Sequence, residues 1–388
     1  MDKIKIVFLQ YQLVCGGAEQ ALYDLIGLMD KSRFDITVIA LVDGGEWEDK
    51  FKEADIPVVN IFYKRNREDH NPVHFLLHQL RKMKIRWWMK VEPHKVIPYL
   101  VGDDVDIVVA YSFEDNEGVV RTKNAKYVKY VHGNIETHSQ YRNTFTRLSA
   151  CGILSGYHKI VCVSQMAVEA FKRITGIHEN VEMHYNPINS THVLRLAEQP
   201  VELPGEVPYI CAVGRLAPEK AYDRLIRIHR RILDQGFVHK LIIVGDGPEK
   251  EHLMDTIRET GTSETVTLAG YQSNPYPYMK HSHFLVCSSY TEGLPVIAME
   301  ALTLGVPIVS AVPSIGELFG EECCGILTEN DDESLETGIR KMLEDSAFYE
   351  KAKQGAEIRS KFFDGKNMVR EVEDMFMELM EGNEDGIG

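Results

Sequence analysis

"HFLVCSSYTEGLPVIAMEALTLGVPIVSA", residues 283–311, is the stretch that decides the fold. It opens with an apolar run, passes through a Gly-Leu-Pro turn into a longer apolar segment, and closes with a second Val- and Ile-rich run. Pro295 suits the first turn of a helix, and Gly305 suits its end. Two buried strands joined by a helix form a βαβ unit, whose strands are parallel.

The same alternation of short apolar runs and longer amphipathic segments recurs along the whole chain. Strands are predicted in the first half at 3–10, 34–42, 106–112, 126–133 and 159–165, and in the second half at 209–216, 240–247, 266–270, 283–289 and 306–311. Each half therefore has its own set of strands. The sequence predicts an α/β protein with two doubly wound, Rossmann-like domains built on parallel sheets.

The domain boundary is predicted at 195–208, where three prolines, a glycine and three glutamates interrupt the periodicity. This gives an N-terminal domain at 1–195 and a C-terminal domain at 205–365. The remaining segment, 366–388, is predicted to form a helix that packs back on the N-terminal domain.

Composition excludes several classes of protein. Lys plus Arg number 43 and Asp plus Glu number 58, a net charge of −15, so we expect no nucleic-acid partner. The seven cysteines include no CxxC pair, which disfavours zinc and favours a reducing compartment. No apolar run reaches the roughly 20 residues that span a bilayer. We therefore expect a cytoplasmic protein that at most lies on a membrane surface.

Glycines and cations follow the first strand of each half, at the strand end where parallel sheets bind ligands. Gly16 and Gly17 open a helix whose free N–H groups favour phosphate, although an ordinary tight turn has the same pattern. Arg215 and Lys220 follow Gly214. A guanidinium fork beside an ammonium suits a diphosphate, although two surface cations in a loop would look the same.

Two glutamates lie in the stretch quoted first. Glu292 is predicted in the loop ahead of the helix and Glu300 inside it. The amides of Gly293 to Val296 would then face the strand ends, where a phosphate could bind. A helix dipole alone could account for Glu292. A buried Glu300 needs a partner, which could be a local side chain or a ribose diol.

This combination resembles the retaining glycosyltransferases of family 4, which have the GT-B fold. The resemblance covers nearly the whole chain and is strongest from Val213 to Pro307. Residues 270–302 are most similar to the bacterial members that build capsule, O-antigen and other surface polysaccharides. The resemblance implies two Rossmann-like domains that face each other across a cleft, the first binding the acceptor and the second the nucleotide sugar.

The resemblance also implies a role for each matching residue. Arg215 and Lys220 would neutralise the diphosphate, and Glu300 would hold the ribose hydroxyls. Glu292 would lie near the hydroxyls of the donor sugar, which His132 would face from the acceptor side; a histidine that caps a loop is the alternative. The other implied nucleotide-sugar-binding residues are Gly16, Gly17, Gly245, Tyr271, Gly293, Leu294, Pro295 and Val296.

The implied reaction is retaining transfer of a hexosyl or N-acetylhexosaminyl group from a nucleotide sugar to a glycan or lipid-linked acceptor. The resembling members mostly use UDP-linked donors, and a GDP-linked donor is the alternative. No cofactor or metal is implied, because Arg215 and Lys220 can stabilise the departing diphosphate. Asp104 and Asp106 form an Asp-x-Asp pair, but they lie at the entry of a strand, the wrong end for a ligand. Glu292 as a covalent nucleophile is less favoured than proton transfer to the leaving phosphate.

Three alternatives are disfavoured by the residues. A sugar-nucleotide epimerase of the same fold lacks the two spaced glutamates after an Arg/Lys loop. An NAD-dependent oxidoreductase needs a G-x-G-x-x-G fingerprint, which is absent. A non-catalytic nucleotide-sugar-binding partner would not need the full set of Arg215, Lys220, Glu292 and Glu300.

A basic, tryptophan-containing segment lies in the N-terminal domain at 74–95. It has five basic residues and no acid between Arg81 and Lys90. Helical spacing of its apolar residues predicts one stripe along residues 76–91. The segment is predicted to contact an anionic membrane at the inner face, although a core-packed helix with solvated flanks fits the same pattern. The apolar stripe is Leu76, Leu80, Met83, Trp87 and Val91.

Overall fold

The computed structural model describes residues 2–14, 16–62, 72–112, 122, 124–133, 135–136, 139–203, 205 and 207–381. The chain divides into two compact units, one formed by 1–187 with 366–388 and the other by 188–365. The division falls at Pro187, ahead of the segment 195–208 in which the sequence predicted it. The reason is the helix Ser190–Ala197, which packs on helices of the second unit.

The first unit is built on a seven-stranded parallel sheet. Its strands are β1 (Ile4–Gln10), β2 (Phe34–Val42), β3 (Val58–Phe62), β4 (Ile107–Ser112), β5 (Lys126–Val131), β6 (Lys159–Cys162) and β7 (Val181–Met183). They lie in the order β3-β2-β1-β4-β5-β6-β7. Its helices before the division are α1 (Gly17–Leu28), α2 (Glu48–Glu53), α3 (Pro72–Val91), α4 (Val96–Val101), α5 (Ser139–Ala150) and α6 (Gln165–Thr175).

Both faces of this sheet are covered by helices. Side chains alternate along each strand, so Val7 and Leu9 of β1 enter one core, and Ile6 and Phe8 enter the other. The final helix, Gly365–Glu381, lies on the second of these faces, where Phe376 packs edge-on against Phe8 at 6.3 Å between ring centroids. Residues 382–388 of the predicted terminal helix lie outside the described residues.

The second unit is built on a six-stranded parallel sheet. Its strands are β8 (Tyr209–Val213), β9 (Lys240–Val244), β10 (Val266–Gly270), β11 (Leu285–Cys287), β12 (Ile308–Ser310) and β13 (Gly325–Leu327). They lie in the order β10-β9-β8-β11-β12-β13. Its helices are α7 (Ser190–Ala197), α8 (Tyr222–Asp234), α9 (Lys250–Thr260), α10 (Tyr276–Lys280), α11 (Val296–Thr303), α12 (Ile315–Phe319), α13 (Asp332–Glu344) and α14 (Ser346–Ser360), and the terminal helix Gly365–Glu381 is α15.

These two parallel sheets confirm the predicted fold class, and all ten predicted strands are present. The structure adds β3, β7 and β13, each of which lies at the edge of its sheet. Most side chains of these edge strands are only partly buried. Such strands lack the continuous apolar run by which a buried parallel strand is predicted.

Candidate functional site

The strand order of the second unit brings two separate loops together. β8 and β11 are neighbours in the sheet, although β9 and β10 come between them in the sequence. The order therefore reverses between β8 and β11, and a crevice at such a point is where doubly wound sheets bind ligands. Arg215 follows β8, and Glu292 follows β11. Both loops open from the carboxyl ends of these neighbouring strands.

Two glycines allow close backbone contact at the same edge of the sheet. Gly214 and Gly245 have φ angles of 153° and 150°. A Cβ atom on Gly245 would lie 1.9 Å from the carbonyl oxygen of Gly214, so no other residue fits. A Cβ atom on Gly214 would lie 2.8 Å from the Tyr222 hydroxyl and 3.5 Å from Cε of Lys220. Lys220 therefore lies directly over the end of β8.

Lys220 and Glu292 form an ion pair. Nζ of Lys220, in the 3-10 turn Pro218–Lys220, donates to Oε1 of Glu292, and the side chains are 21% and 19% exposed. The Ser289 hydroxyl donates to the same oxygen at 2.9 Å. The Ser288 hydroxyl also donates to the carbonyl of Lys220 at 2.8 Å. The cation and the acid for which the sequence predicted separate roles are thus in direct contact.

Arg215 provides a second cation in the loop after β8. Its side chain is exposed. Within the described part of the chain, its guanidinium makes no ion pair or hydrogen bond to a side chain or carbonyl. This positive charge is therefore available to an anion, whereas that of Lys220 is shared with Glu292.

Glu300 lies inside α11, as predicted, and is buried. Its carboxylate accepts a hydrogen bond from the hydroxyl of Tyr276, in α10, at 2.8 Å. Sequence reasoning left the partner of this acid open and did not find Tyr276, whose only signal was the aromatic residues within "NPYPYM".

The other predicted residues of the second unit lie around the same strand ends. Leu294, Pro295 and Val296 are buried at the start of α11, and Gly293 is half-buried just before it. Tyr271 is exposed and follows β10.

His132 lies in the first unit, one residue beyond β5. Its ring contacts those of Tyr111 and Tyr130, with centroids 4.3 Å and 5.6 Å away. Burial lowers the pKa of His132 to about 3, and the charge of Lys129 acts in the same direction. The imidazole is therefore neutral at neutral pH. A hydrogen bond to the backbone of Tyr111 opposes this lowering of the pKa, and the hydroxyls of Tyr111 and Tyr130 are buried without a hydrogen-bond partner among the described residues.

Gly16 and Gly17 begin α1, as predicted, with Gly16 as the extended residue before the first turn. Beneath them, the buried Glu19 accepts a hydrogen bond from Nε2 of Gln10 at 2.6 Å, and burial raises the pKa of this carboxyl. A Cβ atom on Gly16 would lie 2.5 Å from Oε2 of Glu19. No role was predicted for Glu19, although it lies only two residues after Gly17.

Asp104 and Asp106 lie at the amino-terminal side of β4, away from the carboxyl ends of the strands. Asp104 pairs with the ammonium of Lys5, which lowers the pKa of the carboxyl. Asp106 accepts from the backbone N–H of Lys5 at 2.8 Å. The described residues contain no group of three or more His, Cys, Asp or Glu side chains placed to hold a metal ion.

The apolar stripe of α3 faces outward. Its five residues are between 50% and 65% exposed, whereas Ile85 on the opposite side is fully buried. Lys84 and Lys90 lie three residues before and three residues after Trp87. The ammonium of Lys84 lies over the rings of Trp88 and Tyr99, 4.3 Å and 4.7 Å from their centroids. The helix packs on the core through Ile85, Trp88 and Met89, so the alternative of a core-packed helix holds for that face, whereas the predicted stripe does not face the core. Among the described helices, none is long and apolar enough to cross a membrane.

Comparison with known families accounts for both units. Residues 15–192 match the model of Glycosyltransferase Family 4, and residues 196–359 match that of Glycosyl transferases group 1. The chain belongs to this family of glycosyltransferases. The resemblance seen in the sequence is thereby confirmed.

Two curated relatives of this chain are themselves named as glycosyltransferases. The Campylobacter jejuni N-acetylgalactosamine-N,N'-diacetylbacillosaminyl-diphospho-undecaprenol 4-alpha-N-acetylgalactosaminyltransferase is 33% identical over 49% of this chain and 52% of its own. The lipopolysaccharide core biosynthesis glycosyltransferase LpsD of Rhizobium meliloti is 24% identical over 59% of this chain and 65% of its own. The chain thus spans about half to two thirds of the length of these two curated relatives.

Solved structures show the same fold. Anabaena Alr3699/HepE, in complex with UDP and glucose, matches with a TM-score of 0.75 at 19% identity, over 97% of this glycosyltransferase and 100% of that chain. Sucrose-phosphate synthase from Thermosynechococcus elongatus matches with a TM-score of 0.74 at 15% identity, over 98% and 100%. The fold is GT-B.

Proposed function

We propose that this protein transfers a sugar from a nucleotide sugar to a glycan or lipid-linked acceptor during the synthesis of a bacterial surface polysaccharide. One observation carries the proposal. Arg215 and the Lys220–Glu292 pair follow the two strands between which the sheet order of the second unit reverses. Cations at that edge suit a diphosphate. The names of the Campylobacter jejuni and Rhizobium meliloti relatives support the glycan acceptor.

The donor is proposed to be UDP-linked and to carry a hexosyl or N-acetylhexosaminyl group. UDP in the Anabaena complex supports this nucleotide. The buried carboxylate of Glu300 would accept from the ribose hydroxyls while it keeps the hydrogen bond from Tyr276. Gly214 and Gly245 are in close backbone contact and have no side chains, so a nucleotide bound there would lie directly against the backbone. Tyr271, exposed after β10, would lie near the base.

The proposed reaction retains configuration and needs no metal. The bond between the anomeric carbon and the diphosphate oxygen breaks, and its electron pair stays on the diphosphate. Arg215 and Lys220 stabilise that charge as it grows. The acceptor oxygen bonds to the anomeric carbon on the same face, and its proton passes to the departing phosphate. Lys220 turns from Glu292 to the diphosphate, which leaves Glu292 to accept from hydroxyls of the donor sugar.

In the first unit, we propose that neutral His132 accepts a hydrogen bond from a sugar hydroxyl. Its burial supports this role, because a buried neutral imidazole keeps one ring nitrogen as a hydrogen-bond acceptor. Gly16 and Gly17 would let backbone amides at the start of α1 approach the diphosphate.

We further propose that α3 lies on an anionic membrane at the inner face, close to a lipid-linked acceptor. The exposed stripe centred on Trp87, flanked by Lys84 and Lys90, supports this partner over a protein. Apolar side chains would enter the headgroup layer, while the ammonium groups beside them meet lipid phosphates.

A donor panel tests the enzyme assignment. Purified protein would be incubated with UDP-glucose, UDP-N-acetylglucosamine, UDP-N-acetylgalactosamine and GDP-mannose, with and without EDTA, and release of nucleoside diphosphate measured. We expect release from a UDP-sugar that EDTA leaves unchanged. Binding of a nucleotide sugar without release, even with undecaprenyl-diphosphate-linked sugar present, would instead identify a non-catalytic partner. Loss in EDTA with rescue by Mn²⁺ would overturn metal independence.

A further inference from the structure

The loop that carries Glu292 is held from behind by two residues that the sequence did not single out. Arg224, in the first turn of α8, is almost fully buried. Its Nη2 donates to the carbonyl of Ser288 at 2.7 Å and to Oδ1 of Asn330 at 2.9 Å. Asn330 lies between β13 and α13. Its Nδ2 donates to the carbonyl of Tyr290 at 2.8 Å and to that of Ser289 at 3.3 Å.

Every carbonyl from Ser288 to Tyr290 therefore accepts a hydrogen bond from one of these two side chains. The guanidinium of Arg224 also lies 4.7 Å from the ring centroid of Tyr290. The ring of Tyr290, which is otherwise exposed, therefore stacks on this guanidinium. On its other side, the loop bonds to the Lys220 turn, where the N–H of Tyr290 donates to the carbonyl of Glu219 at 2.9 Å. The loop is thus fixed from two directions.

A contact that only stabilised the unit could lie at the surface. Arg224 is buried instead, and burying a guanidinium costs free energy unless its N–H groups donate hydrogen bonds. Nη2 of Arg224 donates to the loop and to the one side chain that also holds the loop, and Nη1 lies 4.0 Å from Oδ1 of Asp332. Its Nε is buried without a hydrogen-bond partner among the described residues. Helices α8 and α13 are joined elsewhere by an ion pair between Arg231 and Glu336 at 2.6 Å, and Arg231 also lies 3.9 Å from Asp332. That pair shows how these helices can be held together without involving the loop.

We propose that Arg224 and Asn330 are positioning residues that hold the loop 288–292, and with it Glu292, in the geometry needed for transfer. The proposal rests on the function proposed above for Glu292. Asn330 donates to the loop through Nδ2 and accepts from Arg224 through Oδ1, so its two amide atoms have separable tasks.

Asn330→Asp separates these tasks. The carboxylate still accepts from Arg224 but cannot donate to the carbonyls of Ser289 and Tyr290. If Asn330 only stabilised the unit through Arg224, Asn330→Asp would behave as the wild type. If it positions the loop, kcat for sugar transfer should fall at least about tenfold, since each 1.36 kcal/mol in the barrier is tenfold in rate, with KM for the donor nearly unchanged. Asn330→Ala, at an exposed position, should lower kcat to a similar extent, because it also loses both hydrogen bonds donated to the loop.

Arg231→Ala is the matched control, because it removes an arginine from the same helix pair without touching the loop. It should leave kcat unchanged. Hydrogen exchange of peptides covering 288–294 in the free protein gives a readout that needs no activity. Faster exchange in these peptides in Asn330→Asp, but not in Arg231→Ala, supports the positioning role of Asn330 even if the donor assignment fails. Unchanged exchange and unchanged kcat in Asn330→Asp would overturn the proposal.

Discussion

The ammonium of Lys220 and the carboxylate of Glu292 share a hydrogen bond, 72 positions apart in the chain. Each neutralises the other before any substrate binds. The pair thus sets a competition, because a diphosphate must take Lys220 from Glu292. Once it has done so, the carboxylate is free to accept from a hydroxyl.

Glu292→Gln should therefore have opposite effects on binding and on turnover. Because Lys220 is then free of its ion pair, free UDP should bind up to about fivefold more tightly. This factor corresponds to the free energy of a solvent-accessible ion pair, up to about 1 kcal/mol. Transfer should slow by about 10²–10³, the loss typical of one preorganised group. Calorimetry with UDP and steady-state rates measure the two effects. Weaker UDP binding in Glu292→Gln would contradict the competition.

Arg215→Ala and Lys220→Ala should both lower kcat by about 10²–10³, because each meets charge that grows in the transition state. Arg227→Ala is the control, a partly exposed arginine of α8 whose nearest acid is Glu259 at 3.9 Å. It should turn over normally. Near-normal kcat in both loop variants would remove the diphosphate assignment.

Glu300 is expected to recognise the ribose hydroxyls. Wild-type protein should bind UDP at least about tenfold more tightly than UDP that lacks both ribose hydroxyls, since hydrogen bonds to a charged group contribute about 1.5–3 kcal/mol. Glu300→Gln should lose most of that preference. Tyr276→Phe, which removes the hydroxyl that Glu300 now binds, should keep it. An unchanged preference in Glu300→Gln would place the ribose elsewhere.

Ala221, directly after Lys220, has φ 52° and ψ 42°, a left-handed conformation that disfavours any residue with a Cβ. Ala217 is buried in the same turn but is extended, with φ −133°. Ala221→Gly and Ala217→Gly each lose one buried methyl group, but only the first relieves strain. Ala221→Gly should be the more stable of the two by about 1–2 kcal/mol in urea unfolding. Equal stabilities would show that Ala221 is unstrained.

A buried pair of histidines should make the second unit sensitive to acid. Nδ1 of His229 lies 2.9 Å from Nε2 of His239, and Nε2 of His229 lies 2.9 Å from the Thr265 hydroxyl. Burial lowers the pKa of His229 to about 3 and also lowers that of His239. In the unfolded chain both bind a proton near pH 6.5.

The two neutral histidines therefore make their full contribution to the free energy of unfolding above pH 6.5. This contribution falls as the pH drops from 6.5 towards 3, because the unfolded chain binds protons that the folded chain excludes. For His229 alone, the loss by pH 5 is about 2 kcal/mol. Urea midpoints at pH 7 and pH 5 measure it. The double variant His229→Leu/His239→Leu should show a smaller drop; an equal drop would assign the acid sensitivity to other groups.

Membrane docking through α3 predicts binding to vesicles of phosphatidylglycerol. Each Lys or Arg near an anionic surface contributes about 1 kcal/mol, so reversing four charges should abolish co-sedimentation at low salt while UDP binding survives. Trp87→Ala, which does not alter the net charge, should weaken co-sedimentation with the vesicles. The residues changed together to Glu are Lys82, Lys84, Arg86 and Lys90.

A second variant controls for net charge, with the same number of exposed lysines changed to Glu elsewhere. It should sediment with the vesicles as the wild type does. Wild-type protein that stays in the supernatant would contradict docking and indicate an acceptor free of the membrane. The lysines changed in this control are Lys351, Lys353, Lys361 and Lys366.

The buried strands and the helix boundaries at Gly16, Pro295 and Gly305 could be predicted from the sequence. Continuous apolar runs and residues with restricted backbone angles are local signals. The same signals fail for the edge strands β3, β7 and β13, whose partly exposed side chains give no apolar run. They fail for Tyr276 as well, because its bond to Glu300 crosses 24 positions.

By itself, the sequence determined the two parallel-sheet units, the loops that follow their strands and the residue types at those positions, because local periodicity and turn chemistry encode them. Only the tertiary structure decided that Lys220 pairs with Glu292, that Arg224 and Asn330 hold the loop between them, and that the stripe of α3 faces outward. Contacts of this kind join residues far apart in the chain. They depend on the strand order of each sheet, which no local pattern of residues specifies.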